Sequence, residues 1–137
     1  MKSRNIFVID TPNIIRYMEK KKPNYTNNLI SLISFIHRHN ASKFIIIITP
    51  WMEKNIPNLS SFKIKNVEIR YSSDYDVDPD IAVFEISKQF GNVIVISNDK
   101  FRKNKYKKYN CIRSKKIKFI LLEKDNQIFM KCDLKLT

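Results

Sequence analysis

Residues 44–48 read FIIII, an uninterrupted apolar run in which four of the five side chains are β-branched. A short and continuous run of this kind is typical of a strand buried on both faces, since a half-buried strand alternates apolar and polar residues. Such strands occur mainly in parallel sheets that helices cover on both sides. The run therefore predicts a central strand of an α/β protein.

Three further apolar runs lie on either side of it and are bounded by polar residues: Ile6–Ile9, Val67–Tyr71 and Val93–Ile96. The first and the last are as continuous as residues 44–48, which again indicates buried parallel strands. Residues 119–122 and 128–130 are also apolar and flank a turn-like Asp-Asn pair. They predict a closing hairpin or an edge strand pair.

Two helices are predicted between these strands. Apolar side chains recur at helical spacing over residues 29–36, and Thr26 is placed to act as the N-cap of that helix. For the second helix, Asp78 can cap, Pro79 fits the first helical position, and Gly91 suits the left-handed residue at the end. The alternation of strands and helices predicts an α/β three-layer sandwich with a mainly parallel central sheet flanked by helices.

Composition sets limits on the class of protein. The chain has 137 residues, about the length of one domain, and 43% of them are apolar, which is enough for a folded core. One glycine excludes the Walker A loop and the GxGxxG dinucleotide motif, because both need several. Two cysteines fit a reducing compartment. With no apolar run near the roughly 18 residues of a membrane helix, we expect one intracellular domain over residues 1–137 and no membrane partner; cytoplasm, nucleus and organelle are not distinguished.

The charge is strongly positive and unevenly placed. A net charge of +13 attracts polyanions. Residues 100–118 hold ten basic side chains and no acid, whereas residues 74–80 hold four aspartates and no base. Aromatic residues are interleaved with the basic ones and could stack on bases, although a merely solvated face is the alternative. The candidate RNA-binding residues are Arg102, Lys103, Lys105, Lys107 and Lys108.

Acidic residues cluster at one predicted edge of the sheet. Asp10 follows the first strand, Asp99 follows the fourth, and Asp80 lies in the first turn of the second helix. In open parallel sheets the ligand site lies outside the carboxyl ends of the strands, where Asn13 can orient a carboxylate or a water. Clustered carboxylates usually hold Mg²⁺ or Mn²⁺, and such ions catalyse phosphodiester cleavage. An acidic metal pocket beside a basic segment describes a nuclease.

Four motifs carry a resemblance to a known family. Residues 6–13 read IFVIDTPN, residues 47–54 read IITPWMEK, residues 78–80 read DPD, and residues 93–102 read VIVISNDKFR. In this order the chain resembles the PIN-like nuclease superfamily, and more closely its NYN branch. Within that branch it is most similar to the endoribonuclease domain of the CCCH zinc-finger family known as Regnase or MCPIP.

The resemblance implies a Mg²⁺- or Mn²⁺-dependent endoribonuclease that cleaves single-stranded or loop regions of RNA. It carries over Asp10, Asn13, Asp80 and Asp99 as catalytic residues. The implied metal ligands are Asp10, Asp80, Asp99 and Asp78. The related protein-only RNase P nuclease domain shares the pattern, so pre-tRNA is a second substrate class. RNA is the implied partner, and a homodimer or a larger RNA-processing complex could complete the RNA channel of so short a chain.

The chain departs from the family pattern in two places. Lys103 stands where the family often has an acid after SNDxxR. Pro79 splits the paired aspartates, which leaves open whether Asp78 or Asp80 is the closer ligand. Lys103 motivates the alternative function, a catalytically weakened PIN-like module for RNA binding or complex assembly. A phosphoacceptor domain is a third reading, weakened because no DxD motif follows the first strand.

Overall fold

A parallel sheet forms the centre of the protein. The computed structural model describes residues 6–39, 43–56, 65–90, 93–101, 116–125 and 127–132. Five strands pair in the order β3-β2-β1-β4-β5, and every neighbouring pair is parallel. The strands are β1 (Ile6–Ile9), β2 (Lys43–Ile48), β3 (Val67–Tyr71), β4 (Val93–Ile96) and β5 (Lys116–Ile117). All four predicted strands are confirmed, as is the α/β class, whereas β5 was not predicted because it lies within the basic segment.

In the described part of the chain four α-helices accompany the sheet, α1 (Thr11–Lys21), α2 (Tyr25–Arg38), α3 (Pro50–Asn55) and α4 (Pro79–Phe90), and a short 3-10 helix covers Ser72–Asp74. The two predicted helices, α2 and α4, are confirmed, and α1 and α3 are additional. Both additional helices begin with proline in the first turn, where its missing N–H costs no hydrogen bond. Among the described residues no helix is both long and apolar enough to cross a membrane.

The starts of α2 and α4 are capped by side chains. Asn24 caps α2, since its side-chain oxygen accepts a hydrogen bond from the backbone N–H of Asn27 at 3.1 Å. The prediction that Thr26 caps this helix was wrong: the helix already begins at Tyr25, so Thr26 lies inside its first turn. Asp78 caps α4 as predicted, with Oδ1 accepting from the backbone N–H of Asp80 at 2.9 Å. Gly91 lies outside the described residues.

Helices cover both faces of the sheet. On one face α1, α2 and α3 pack over alternate strand residues such as Phe7, Ile9 and Phe44. On the other face α4 packs over the residues between them, including Val8 and Ile45. Both sets are buried, which is why the strand sequences are continuously apolar. The arrangement is compatible with the predicted three-layer sandwich.

The predicted closing hairpin is also present. Strands β6 (Phe119–Lys124) and β7 (Gln127–Cys132) pair antiparallel as a separate two-stranded sheet. This hairpin packs against α2, where Arg38 donates a hydrogen bond to the backbone oxygen of Met130 at 3.0 Å. Met130 and Ile128 thereby join the core on the α1–α2 face.

Candidate functional site

The strand order reverses direction between β1 and β4. From β1 the chain passes through α1 and α2 to β2 on one side, whereas β3 leads through α4 to β4 on the other side. Helices on opposite faces therefore leave a crevice between the carboxyl ends of β1 and β4. In open α/β sheets this reversal point is the preferred ligand site, because backbone and loops there are not covered by a crossover helix.

Asp10 lies at that point and is buried. It follows β1 directly, its side chain is 1% exposed, and its backbone N–H donates to the oxygen of Ile96 at 3.0 Å. This bond continues the β1–β4 pairing one residue past the end of β1. The backbone of Asp10 is thus fixed by the sheet at the point where the strand order reverses.

The hydroxyl group of Ser97, the residue directly after β4, binds the Asp10 carboxylate. Ser97 Oγ donates to Asp10 Oδ2 at 2.6 Å, and this serine is fully buried. The same Oγ accepts the backbone N–H of Asp99 at 3.0 Å. Ser97 therefore links Asp10 to the loop that carries Asp99. Sequence reasoning did not select Ser97, although its place directly after a buried strand and before Asn-Asp was the signal that could have identified it.

Asn13 also binds this loop. Its side-chain oxygen accepts the backbone N–H of Asn98 at 3.0 Å and lies 3.3 Å from Ser97 Oγ. Asn98 in turn exchanges hydrogen bonds with the backbone of Phe119, at 2.9 and 3.0 Å, and so ties the loop to the start of β6. The oxygen of Asn13 is thus used to fix the loop between β4 and the following segment.

The electrostatics of Asp10 are unusual for a carboxyl group. Burial raises the pKa of Asp10 to about 7, and the negative charges of Asp80 and Asp99 act in the same direction. The hydrogen bonds from the Ser97 hydroxyl and the Asn13 backbone oppose the rise in pKa. Two acids from separate parts of the chain therefore act on Asp10 at this edge of the sheet.

Asp99 and Asp80 occupy half-buried positions beside Asp10. Asp99 Oδ1 accepts the backbone N–H of Phe101 at 2.8 Å, and the Lys116 ammonium donates to the Asp99 backbone oxygen. Asp80 lies in the first turn of α4, while the Oδ1 of Asp78 is engaged in capping that helix. Of the two acids around Pro79, Asp80 is the one whose charge acts on Asp10.

Other predicted residues fall elsewhere. Phe101, one of the aromatic residues interleaved with the basic ones, packs on the core, 1% exposed and with its ring centroid 4.9 Å from that of Phe84. Within the described part of the chain, no group of three or more His, Cys, Asp or Glu side chains is close enough to hold a metal ion. The predicted RNA-binding residues lie outside the described residues: Arg102, Lys103, Lys105, Lys107 and Lys108.

Fold and site together define the class: an α/β protein with a parallel five-stranded sheet and a buried, acid-flanked carboxyl group where the strand order reverses. Comparisons of the chain with protein-family models, with curated protein sequences and with solved structures gave no match. The case for a function therefore depends on the site.

Proposed function

We propose that the protein is a metal-dependent endoribonuclease that cleaves single-stranded or loop regions of RNA. The observation that carries the proposal is the buried Asp10, whose pKa is raised to about 7 in the company of Asp80 and Asp99. Asp10 is costly to ionise, because it is buried and has two acidic neighbours. None of the described side chains that act on the pKa of Asp10 is a cation. Such perturbed carboxyls concentrate at functional sites.

A divalent cation is the partner that this arrangement favours. Mg²⁺ prefers oxygen ligands, is commonly bound through one or two carboxylates, and keeps several of its water molecules. Asp10 together with Asp80 or Asp99 would offer one or two carboxylates of this kind, and no group of three or more His, Cys, Asp or Glu side chains in the described part of the chain is close enough to hold an ion. A cation bound here would offset the repulsion between the acids and supply Lewis-acid stabilisation of charge on a phosphodiester.

The residues around the acids have positioning roles in this proposal. The Ser97 hydroxyl donates a hydrogen bond to Oδ2 of Asp10. Because the carboxylate is planar and rigid, this bond also fixes the position of the other oxygen. Asn13 and Ser97 hold the loop that carries Asp99 through backbone N–H groups. Because buried neighbours fix both acids, they need little rearrangement when a cation and a phosphate arrive.

RNA is proposed as the substrate on two grounds. The net charge of +13 favours a polyanion, and the motif resemblance is to ribonucleases. The chain's basic residues are concentrated in residues 100–118, directly after Asp99 in sequence.

The decisive experiment measures cleavage of a labelled uridine-containing stem-loop RNA by purified protein with Mn²⁺, Mg²⁺ or EDTA. Asp10→Asn and Asp99→Asn are the test variants, since both keep a hydrogen-bond acceptor at the same place. We expect each to lower the cleavage rate at least about 100-fold, the upper end of what loss of an outer-shell metal partner costs.

The matched control is Asp125→Asn, which makes the same change at an exposed hairpin turn whose positive φ of 53° asparagine tolerates. It should cleave like the wild type. Cleavage that persists in EDTA, or that is equal in all four proteins, contradicts the proposal and points to a contaminating ribonuclease.

A second function is favoured by one observation, Lys103, which stands where the resembled family often has an acid. The same fold would then serve as an RNA-binding or complex-assembly module without cleavage. RNA binding that leaves the substrate intact after long incubation with metal, and that Asp10→Asn does not change, supports this second function.

A further inference from the structure

A cleft of about 660 Å³ opens beside the acidic crevice, between α1, α3 and the start of α4. Its lining includes Pro12, two residues after Asp10, and Pro79, which stands between Asp78 and Asp80. Two of the residues that line the cleft are therefore sequence neighbours of the acids. The volume of the cleft is within the range of about 300–1,000 Å³ that small-molecule sites occupy.

An aromatic side chain forms one wall of this cleft. Thr49 caps α3 by accepting the backbone N–H of Met52 at 3.1 Å, and Met52 is buried in the core. These two anchors leave Trp51, between them, on the open side of the helix, where it is 52% exposed. Trp51 is therefore not part of the core. Val77, which also lines the cleft, is 99% exposed.

Two cations also line the cleft. Arg16 and Lys20 are both exposed and lie four residues apart on α1, which places them on the same face of the helix. Glu19 also lines the cleft, but its carboxylate accepts a hydrogen bond from the Asn28 side chain on α2. The lining of the cleft thus combines an aromatic side chain with two positive charges.

We propose that this cleft binds one nucleotide of a single-stranded nucleic acid, with the base stacked on Trp51 and a phosphate beside Arg16 and Lys20. Aromatic stacking together with a basic groove is how single strands are held without sequence preference. The proposal rests on the proposed function, because the nucleotide would be a neighbour of the phosphodiester at the acids. It adds a subsite that sets the position of the strand.

Trp51 reports on this site directly, because it is the single tryptophan of the chain. Its fluorescence is titrated with AMP and with UMP in EDTA, so that no cleavage is involved. We expect saturable quenching by both nucleotides, and none by ribose 5-phosphate, which has no base to stack. The Arg16→Gln/Lys20→Gln double variant should weaken AMP binding at least about tenfold but leave quenching by adenosine, which lacks a phosphate, unchanged.

Lys124→Gln is the matched control, since it removes an exposed lysine that does not line the cleft and should bind AMP like the wild type. Trp51→Leu, checked for folding by circular dichroism, should lose AMP binding in equilibrium dialysis. Quenching that rises linearly, as with free N-acetyltryptophanamide, overturns the proposal. So does equal AMP affinity in the wild type and the double variant.

The two proposals fail separately. If RNA cleavage depends on Asp10 but quenching is not saturable, the nucleotide subsite is contradicted and the nuclease proposal is supported. Saturable quenching that needs Arg16 and Lys20, together with no cleavage, leaves a nucleotide-binding cleft on a protein that is not a nuclease.

Discussion

A carboxyl group that is buried at the end of a strand, as Asp10 is, destabilises the folded state whenever it is ionised. Its neighbours only partly relieve this cost. The hydroxyl of Ser97 is a single neutral donor, while Asp80 and Asp99 add repulsion. A residue kept at such a cost is better explained by something that it binds than by its contribution to the fold.

The raised pKa of Asp10 predicts how stability depends on pH. In the folded state this pKa is about 7 against a reference value of 3.8, so between these two pH values the folded chain binds more protons than the unfolded chain. Stability from this group is full below pH 3.8 and is lost as pH rises toward 7. Asp10→Asn should therefore be stabilised relative to the wild type at pH 8, by up to a few kcal/mol, and should lose that advantage at pH 4.

Urea denaturation in EDTA at a series of pH values measures this difference. Asp125→Asn, at an exposed turn, should follow the wild type at every pH. Parallel curves for the wild type and Asp10→Asn across the whole range would show that Asp10 does not titrate as inferred.

Two aromatic residues illustrate what is decided at the level of single side chains. Phe101 sits beside basic residues in the sequence yet is buried against Phe84, whereas Trp51 sits beside the buried Met52 yet is half exposed. Neighbours along the chain do not determine burial, because the direction of a side chain follows from the helix or turn that carries it.

At the level of elements, α1 is the clearest addition to the sequence prediction. Its buried apolar residues are Ile14, Ile15 and Met18, so its apolar stripe is little more than about one turn long. What places this helix is tertiary: Thr11 Oγ1 accepts the backbone N–H of Ile47 at 3.1 Å and ties the start of α1 to β2. Periodicity alone is a weak signal for a helix held in this way.

The capping of α2 makes a prediction at this scale. Asn24→Ala removes the side-chain acceptor for the Asn27 N–H and should lower the free energy of unfolding by about 1 kcal/mol. Thr26→Ala, two residues along and exposed inside the first turn, is the matched comparison and should cost much less. Chemical denaturation measures the free energy of unfolding of both variants. A larger decrease for Thr26→Ala than for Asn24→Ala would mean that Thr26 is the cap.

At the scale of the whole molecule, the β6–β7 hairpin is an integral part of the core. It contributes Phe119, Ile128 and Met130 to the face covered by α1 and α2, although its strands form a sheet of their own. It also anchors the loop of the acidic site, because the backbone of Phe119 holds the side chain of Asn98.

Met130→Ala should therefore destabilise the whole protein by about 2–5 kcal/mol, as truncation of a fully buried methionine does. Ile120→Ala, on the same hairpin but 56% exposed, is the control and should cost far less. Thermal unfolding followed by circular dichroism compares the two. A small, equal effect of both would mean that the hairpin is not part of the cooperative core.

The sequence by itself determined the α/β class, four of the five strands of the parallel sheet, two helices and the hairpin. It also determined that Asp10 and Asp99 follow strands. Each of these follows from local chemistry: runs that are apolar on both faces, caps, turns and the residue that ends a strand. The acids Asp10, Asp80 and Asp99 were predictable for the same reason, since they adjoin those signals.

Only the tertiary structure decided the strand order, and hence that the reversal falls between β1 and β4 beside Asp10. It also decided the role of Ser97 and the formation of the Trp51 cleft, because each depends on groups far apart in the chain: Ser97 meets Asp10 across 87 residues. Local patterns record which side chains a strand or helix can bury. They do not record which elements become neighbours, because that depends on packing the whole chain at once.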